Sequence, residues 1–199
     1  MKYLCGLWLA LLALDAPAGD IYRIEPEHTR VSFDVRRFGV RWINARFRQI
    51  EGRFVIDRDG RGSEIDVSVA TDSLDGLDFG WSARLRSKDW LDTQRFPRMT
   101  FRSSHVEFNR KGAVAAGQLV LHGYSRPVLL VVDRLDCSGA PPEEQVCWFA
   151  AHTDIKRSDF GLPHGFWVAG DAVEISISGY AARQHDHLTA SNTELPPLN

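Results

Sequence analysis

The sequence predicts an all-β chain whose strands close into a barrel or stack into a sandwich. Three observations carry this. Apolar and polar residues alternate about eight times along the chain, the pattern of a strand with one buried face. Almost no helical periodicity separates these segments. Turn residues punctuate them, as at Asp57-Arg58-Asp59-Gly60, Asn109-Arg110-Lys111-Gly112 and His122-Gly123-Tyr124-Ser125.

Taken in order, residues 1–18 read as a secretory signal peptide. Lys2 supplies a basic start, residues 3–14 form an apolar run too short to span a bilayer, and Ala16-Pro17-Ala18 fits a small-x-small cleavage site. The mature chain then begins near Gly19 and is expected in the periplasm; an uncleaved anchor is the alternative. Val31, Phe33 and Val35 alternate with Ser32, Asp34 and Arg36 in a first strand. Residues 40–47 and 53–56 follow, then Ile65, Val67 and Val69. Residues 98–103 carry Met99 and Phe101, and Val106 and Phe108 continue the alternation. Residues 117–121, 128–132, 146–153 and 173–181 complete the set. Gly123 permits a positive φ in its turn, and Pro127 suits a strand start or an edge.

One stretch, residues 72–96, has no period-two alternation. Residues 82–87 and 88–92 read as short helical turns. A long connection of this kind crosses the mouth of a barrel. It is either a lid over a cavity or a plug that completes the core. The tail, residues 182–199, is polar and reads as disordered, and its His185-Asp186-His187 has no ordered third ligand in reach.

About 180 mature residues suit one domain, 19–181, with one core. The net charge is −2, with 20 Arg against 4 Lys. Residues 23–61 hold ten Arg against six acids, a zone that suits a phosphate head group, transient contact with an anionic membrane surface, or simply the outward faces of exposed strands. Nucleic acid is excluded as a partner by the lack of a basic tract or recognition motif. Cys5 leaves with the signal peptide. Cys137 and Cys147 flank a Gly-Pro-Pro-Glu-Glu loop and favour a disulfide over free thiols or a metal pair, on compartment grounds.

Several phrases, in order, resemble one family. They are Tyr22-x-Ile24-x-Pro26-x-His28-Thr29-x-Val31-x-Phe33, Ser73-Leu74, and Leu85-Arg86-Ser87-Lys88-Asp89-Trp90-Leu91-Asp92. Then come Phe96-Pro97-x-Met99-x-Phe101-x-Ser103, Gly117-x-Leu119-x-Leu121-His122-Gly123, Arg126-Pro127-Val128, and Lys156-Arg157-Ser158-Asp159-Phe160-Gly161-Leu162. The chain is similar, from about Tyr22 to Ala181, to the YceI-like family of exported polyisoprenoid-binding proteins.

That resemblance implies an eight-stranded antiparallel lipocalin-like barrel with a short helical lid and an apolar pore. The pore would hold an isoprenoid lipid, of the polyprenyl phosphate type or an isoprenoid quinone. The inward-phase residues Phe33, Val35, Phe47, Phe54, Val67 and Phe101 are expected to line it. Leu119, Leu121, Leu130, Phe149, Ile175 and Ile177 join them from later strands, with Trp81, Leu85, Trp90 and Leu91 in the lid. Plain core packing is the competing reading for each. The chain departs from the family at two mouth positions. Family members often carry Arg-Asp-x-His-Leu where this chain has Trp81-Ser82-Ala83-Arg84-Leu85, and often a His where it has Arg37. Arg37 and Arg84 are therefore head-group candidates, since Arg grips phosphate through paired hydrogen bonds.

No catalytic constellation is legible. Ser125 lies in no nucleophile elbow, and no metal spacing or phosphate-cradling loop is present. His122 reads as an orienting hydrogen-bond partner, and Arg157 with Asp159 as a loop brace. The expected role is periplasmic binding or carriage of an isoprenoid lipid, without a further cofactor. An accessory or enzyme acting on an isoprenoid, and a ligand-free structural barrel, are the other readings. Barrel edges leave a homodimer open.

Overall fold

The computed structural model describes residues 19–37, 40–57, 62–77, 79–110, 112–140, 144–163 and 170–184, without the side chains of 36–43. The predicted signal peptide, Arg37's side chain and the tail from residue 185, with its His185-Asp186-His187, lie outside this description.

Alternation becomes a barrel because every strand must hide one face, and closure hides all of those faces against one another. The strands are β1 (Asp20–Ile24), β2 (Arg30–Arg37), β3 (Val40–Phe47), β4 (Ile50–Ile56), β5 (Glu64–Ala70), β6 (Leu74–Asp75), β7 (Arg98–Asn109), β8 (Gly112–Leu121), β9 (Tyr124–Ser138), β10 (Val146–Lys156) and β11 (Ala172–Arg183). The one α-helix among the described residues, α1 (Phe79–Arg86), lies between β6 and β7.

The eleven segments make eight staves, all antiparallel to their neighbours. β1 and β2 are two halves of one stave, because both lie along the same edge of β11: Ile24 faces Ala181 and Val31 faces Ile177. β3 with β4, and β5 with β6, are divided in the same way. The three breaks, at 25–29, 48–49 and 71–73, sit side by side on neighbouring staves. The ladder carries on through them by Glu25 N–H to Tyr180 O (2.9 Å), Arg48 N–H to Ser73 O (3.1 Å) and Ala70 N–H to Gln49 O (3.0 Å). They act as bulges that bend the wall without opening it. The ring closes at β1, which pairs with β4 on one side and β11 on the other.

Inside, the alternation is as read. On β10, Cys147, Phe149, Ala151, Thr153 and Ile155 are buried in turn. β8 is longer than its apolar signal, because its inward positions include Ala113, Ala115 and Gly117. Gly117 makes room for Phe101: a Cβ there would meet the Phe101 ring at 2.6 Å and the Arg102 carbonyl at 2.4 Å.

β9 corrects the expected strand start at residue 128. It begins at Tyr124, after a two-residue turn in which His122 (φ 51°) and Gly123 (φ 78°) are both left-handed, the geometry that matches strand twist. Residues 124–127 are exposed, so no apolar alternation announces them. Pro127 pairs with Gln118 of β8 where β9 has no neighbour on its other side, so its missing N–H costs no ladder bond.

β9 and β10 pair only from Val131 with His152 to Ser138 with Val146. Towards the helical end they part around a surface groove of about 960 Å³. His152, on the last rung, places Nδ1 2.7 Å from Asp133 Oδ2 across the pair. At the opposite end Cys137 and Cys147 occupy facing positions and form the expected disulfide.

Two outcomes follow. The Cys137→Ser/Cys147→Ala double variant should keep its strand circular dichroism and lose about 2–3 kcal/mol in urea unfolding, the chain-entropy value for a loop of this size. A loss below about 0.5 kcal/mol would show that the ladder alone holds this hairpin. The second concerns pH. The hydrogen bond to Asp133 raises the pKa of His152, burial opposes it, and Glu174 and Asp154 add to the rise. The stabilisation is therefore fully present below the unfolded-state pKa of about 6.5 and is lost as pH climbs through the higher folded value. Melting temperatures between pH 6 and pH 8.5, roughly spanning that titration, should fall more for the wild type than for Asp133→Asn; equal falls would remove His152 from the account.

Candidate ligand tunnel

The inward side chains do not fill the barrel. They leave three chambers in series along its axis. The chamber at the helical end, of about 70 Å³, is walled by Phe33, Val35, Phe47, Leu121, Ile155, Val173 and Ile175 and capped by Leu85, Trp90 and Leu91. The middle chamber, about 60 Å³, is walled by Val31, Val67, Val69, Phe101, Leu119, Leu130, Thr153, Ile175 and Ile177. The far chamber, about 70 Å³, lies among Phe54, Val67, Leu130, Phe149, Ile177 and their neighbours. Met99 and Ile175 belong to both the first and the second chamber; Val67, Leu130 and Ile177 belong to both the second and the third. The partitions are thus single side chains rather than backbone.

The cap is tied down by its arginines. Arg86 of α1 donates from Nε to Asp72 O (2.9 Å) and from Nη2 to Leu74 O. Asp75, at the start of the connection, accepts from Arg48 Nε (2.7 Å) and Arg46 Nη2 (3.1 Å). These contacts, with the Gly76 N–H, hold the Asp75 carboxyl down at about 2. His122 steadies the same end of the barrel. Its Nδ1 lies 3.2 Å from Phe160 O and its ring 4.7 Å from that of Phe96.

Seventeen residues were expected on this site from the sequence, apart from Arg37, and the structure distributes them as follows. Phe33, Val35, Phe47, Leu85, Trp90, Leu91, Leu121 and Ile175 meet in the capped chamber. Val67, Phe101, Leu119, Leu130 and Ile177 meet in the middle one, and Phe54 and Phe149 stand in the far one. Trp81 packs half-buried against the core and lines none of the three. Arg84 is exposed on α1 with its guanidinium over the Trp81 ring (5.7 Å).

Sequence reasoning missed Met99, at the neck between two chambers, and Arg157. The loop brace expected between Arg157 and Asp159 falls elsewhere: Ser158 donates from its N–H (2.9 Å) and its hydroxyl (2.7 Å) to the carboxylate of Asp171, while Asp159 is exposed. Arg157 is 4 % exposed and lines the capped chamber. Its Nε donates to Gly170 O (3.0 Å), and its guanidinium lies over the Trp90 ring (5.6 Å). Burial pushes its pKa down from the ordinary arginine value, opposed by Asp171. The signal was in the alternation. Counting on from Cys147 by twos through Ile155 reaches Arg157, on the inward phase.

The remaining polar side chains on the chamber walls are Thr153 and Ser63, whose Oγ accepts the Asp57 N–H (3.0 Å). Such a lining can solvate a long apolar chain. No group of three His, Cys, Asp or Glu side chains that could hold a metal occurs among the described residues, and no helix among them is long and apolar enough to cross a membrane.

Comparison with known proteins agrees with this architecture. A UPF0312 protein of Yersinia enterocolitica is 29 % identical over 182 residues, covering 89 % of this chain and 95 % of its own. The crystal structure of BcnA from Burkholderia cenocepacia superposes with a TM-score of 0.66 at 22 % identity, over 80 % of this chain and 99 % of that one. A polyisoprenoid binding domain from Saccharophagus degradans, implicated in plant cell wall breakdown, superposes with a TM-score of 0.56 at 15 % identity, over 82 % of this chain and 98 % of its own. The family model for the YceI-like domain matches residues 22–181, nearly all of the barrel, and the chain belongs to that family.

Proposed function

We propose that this protein binds an isoprenoid lipid inside the barrel and carries it through the periplasm after export. The observation that supports the reading best is the row of three chambers with shared, apolar partitions. An isoprenoid tail is long, branched at intervals and insoluble. Each five-carbon unit drawn from water contributes on the order of 3–4 kcal/mol before the costs of immobilising it. A wall of aliphatic and aromatic side chains supplies that transfer without stranding a polar group. The chambers are narrow at their partitions, so a tail must displace side chains. Met99 stands at one neck, and its unbranched side chain re-rotates more readily than a β-branched one would. The solved barrel described as a polyisoprenoid binding domain lends support through the shared fold.

Two experiments test this. The full chain, expressed in a Gram-negative host and purified from its periplasm, should carry about one prenyl lipid per chain in native mass spectrometry, identified after solvent extraction. A protein that is empty, and that also takes up no added polyprenol or prenyl quinone, would leave the ligand-free structural barrel in its place. The second uses Leu130→Trp, which enlarges the partition between the middle and far chambers. Binding of a long prenyl quinone should fall about tenfold or more, a loss of about 1.4 kcal/mol, while a ligand short enough for the capped chamber binds unchanged. Equal loss for both would separate binding from the tunnel axis.

A further inference from the structure

We propose that the parted edge of β9, residues 125–130, docks an extended segment of another polypeptide, which pairs with it antiparallel as an added strand. The inference concerns the outer wall and does not depend on what fills the tunnel. Three observations lead there. First, β9 pairs with β8 all the way to the turn, whereas its pairing with β10 stops at Val131 with His152. Among the described residues no other strand pairs with this edge. Alternate residues of an antiparallel ladder turn their N–H and C=O to opposite sides. The two-residue turn makes Leu121 with Tyr124 a hydrogen-bonded pair, so Tyr124, Arg126 and Val128 point theirs at β8. Ser125, Pro127 and Leu129 point theirs into the gap. Second, Leu129 is 60 % exposed beside these groups, where a protected edge would carry a charge. Third, the gap is bounded. The last β9–β10 rung closes one end. The 3-10 turn Arg157–Phe160 closes the other, where a Cβ on the following Gly161 would meet the Tyr124 ring at 2.6 Å. The groove thus has the length of a short strand, and its wall carries backbone groups that a peptide can pair and a lipid tail cannot.

Pro127 decides between a foreign strand and a second copy of this chain. It offers a carbonyl to the gap and no N–H. A foreign strand loses one hydrogen bond there. Two copies paired through residue 127 each bring a proline, so their ladder loses two. Charge sets the partner's chemistry. Arg126 lies over the Tyr124 ring (5.4 Å) and donates from Nη1 to Ser125 O (3.0 Å). Among the described residues neither Arg126 nor Lys156, across the groove, takes part in an ion pair. Asp159 stands at the same capped end and offsets one of them, while Asp154 stands beside the last rung. The capped end is left with one positive charge. A segment antiparallel to β9 brings its C-terminal half there, so it carries an acidic residue in that half and an apolar one beside Leu129.

The test uses the full-length mature protein and acetylated, amidated hexapeptides, read by calorimetry and by amide exchange in NMR. In the free protein the Ser125 and Leu129 amides should exchange freely, and they should slow when the peptide Thr-Val-Thr-Val-Glu-Thr is added. Exchanging its Glu for Lys should weaken binding about threefold, the value of a solvent-exposed ion pair. N-methylation at its second and fourth residues, or at its third and fifth, should abolish binding for one set and spare it for the other, since one set faces β9. Leu129→Pro removes an edge donor that β8 does not use; binding should fall about fivefold or more, the worth of a hydrogen bond, with prenyl lipid uptake unchanged. Leu129→Ala, which keeps the N–H, should fall less. Ser125 and Leu129 amides already protected in the free protein would show the edge to be covered and overturn the site. So would no binding of the Glu peptide, or equal loss from both methylated sets. A dimer in sedimentation that Leu129→Pro dissolves would assign the edge to a second copy instead and overturn the foreign strand. Should Leu129→Pro fail to fold, the methylated peptides on the wild type decide the matter.

Discussion

The barrel depends on the short strand β1. It is five residues long and, among the described residues, joins β4 to the end of β11 that β2 does not reach. Without it residues 53–56 of β4 and 181–183 of β11 become edges with unpaired backbone groups, open to pairing with other chains. Its hold is correspondingly dense. Tyr22 is buried, stacks on Phe54 at 5.2 Å and donates its hydroxyl to Gln145. Asp20 accepts from Arg183 of β11. Phe54 in turn meets Phe149 edge-on at 5.9 Å. Phe54 and Phe149 also wall the far chamber, so the aromatic packing behind the seam is shared with the cavity.

Most of the interior was legible because a sheet with one buried face writes itself as alternation. Phe33, Val67, Phe101, Leu119 and Ile177 all fell on the inward phase and all stand on chamber walls. The legible part ends where a residue's type and its phase disagree. Arg157 continues the inward phase of β10, but an arginine reads as a surface residue, since charged side chains are seldom fully buried. The start of β9 was hidden for the opposite reason. Residues 124–127 are strand by geometry and exposed by environment, so periodicity had nothing to report. The divided staves were hidden too: a bulge at 48–49 shifts the phase by one residue, and two short runs then look like separate strands. In the connection between β6 and β7, Leu85, Trp90 and Leu91 were identified as lid residues and cap the chamber, yet spacing alone could not separate Trp81, which packs beside the core, from them.

The two ends of the tunnel are built on opposite principles. At the far end β9 and β10 are joined covalently through Cys137 and Cys147 on facing positions. At the capped end the same two strands have already parted above His152 and Asp133. Thr153 and Ile155 stand on the outer groove and also on the chambers within. The seam is thus fixed covalently at the far end and unpaired at the capped end.

The buried Arg157 packs beside the capped chamber, yet the surface that all three chambers present is almost wholly hydrocarbon. A uniformly apolar tunnel gives an elongated ligand no preferred direction, since burial is proportional to area and indifferent to sense. A polar group placed in any of the three chambers would find almost no surface to hydrogen-bond it. The barrel's apolar area can supply the strength of binding, and any preferred direction must come from groups outside the chambers.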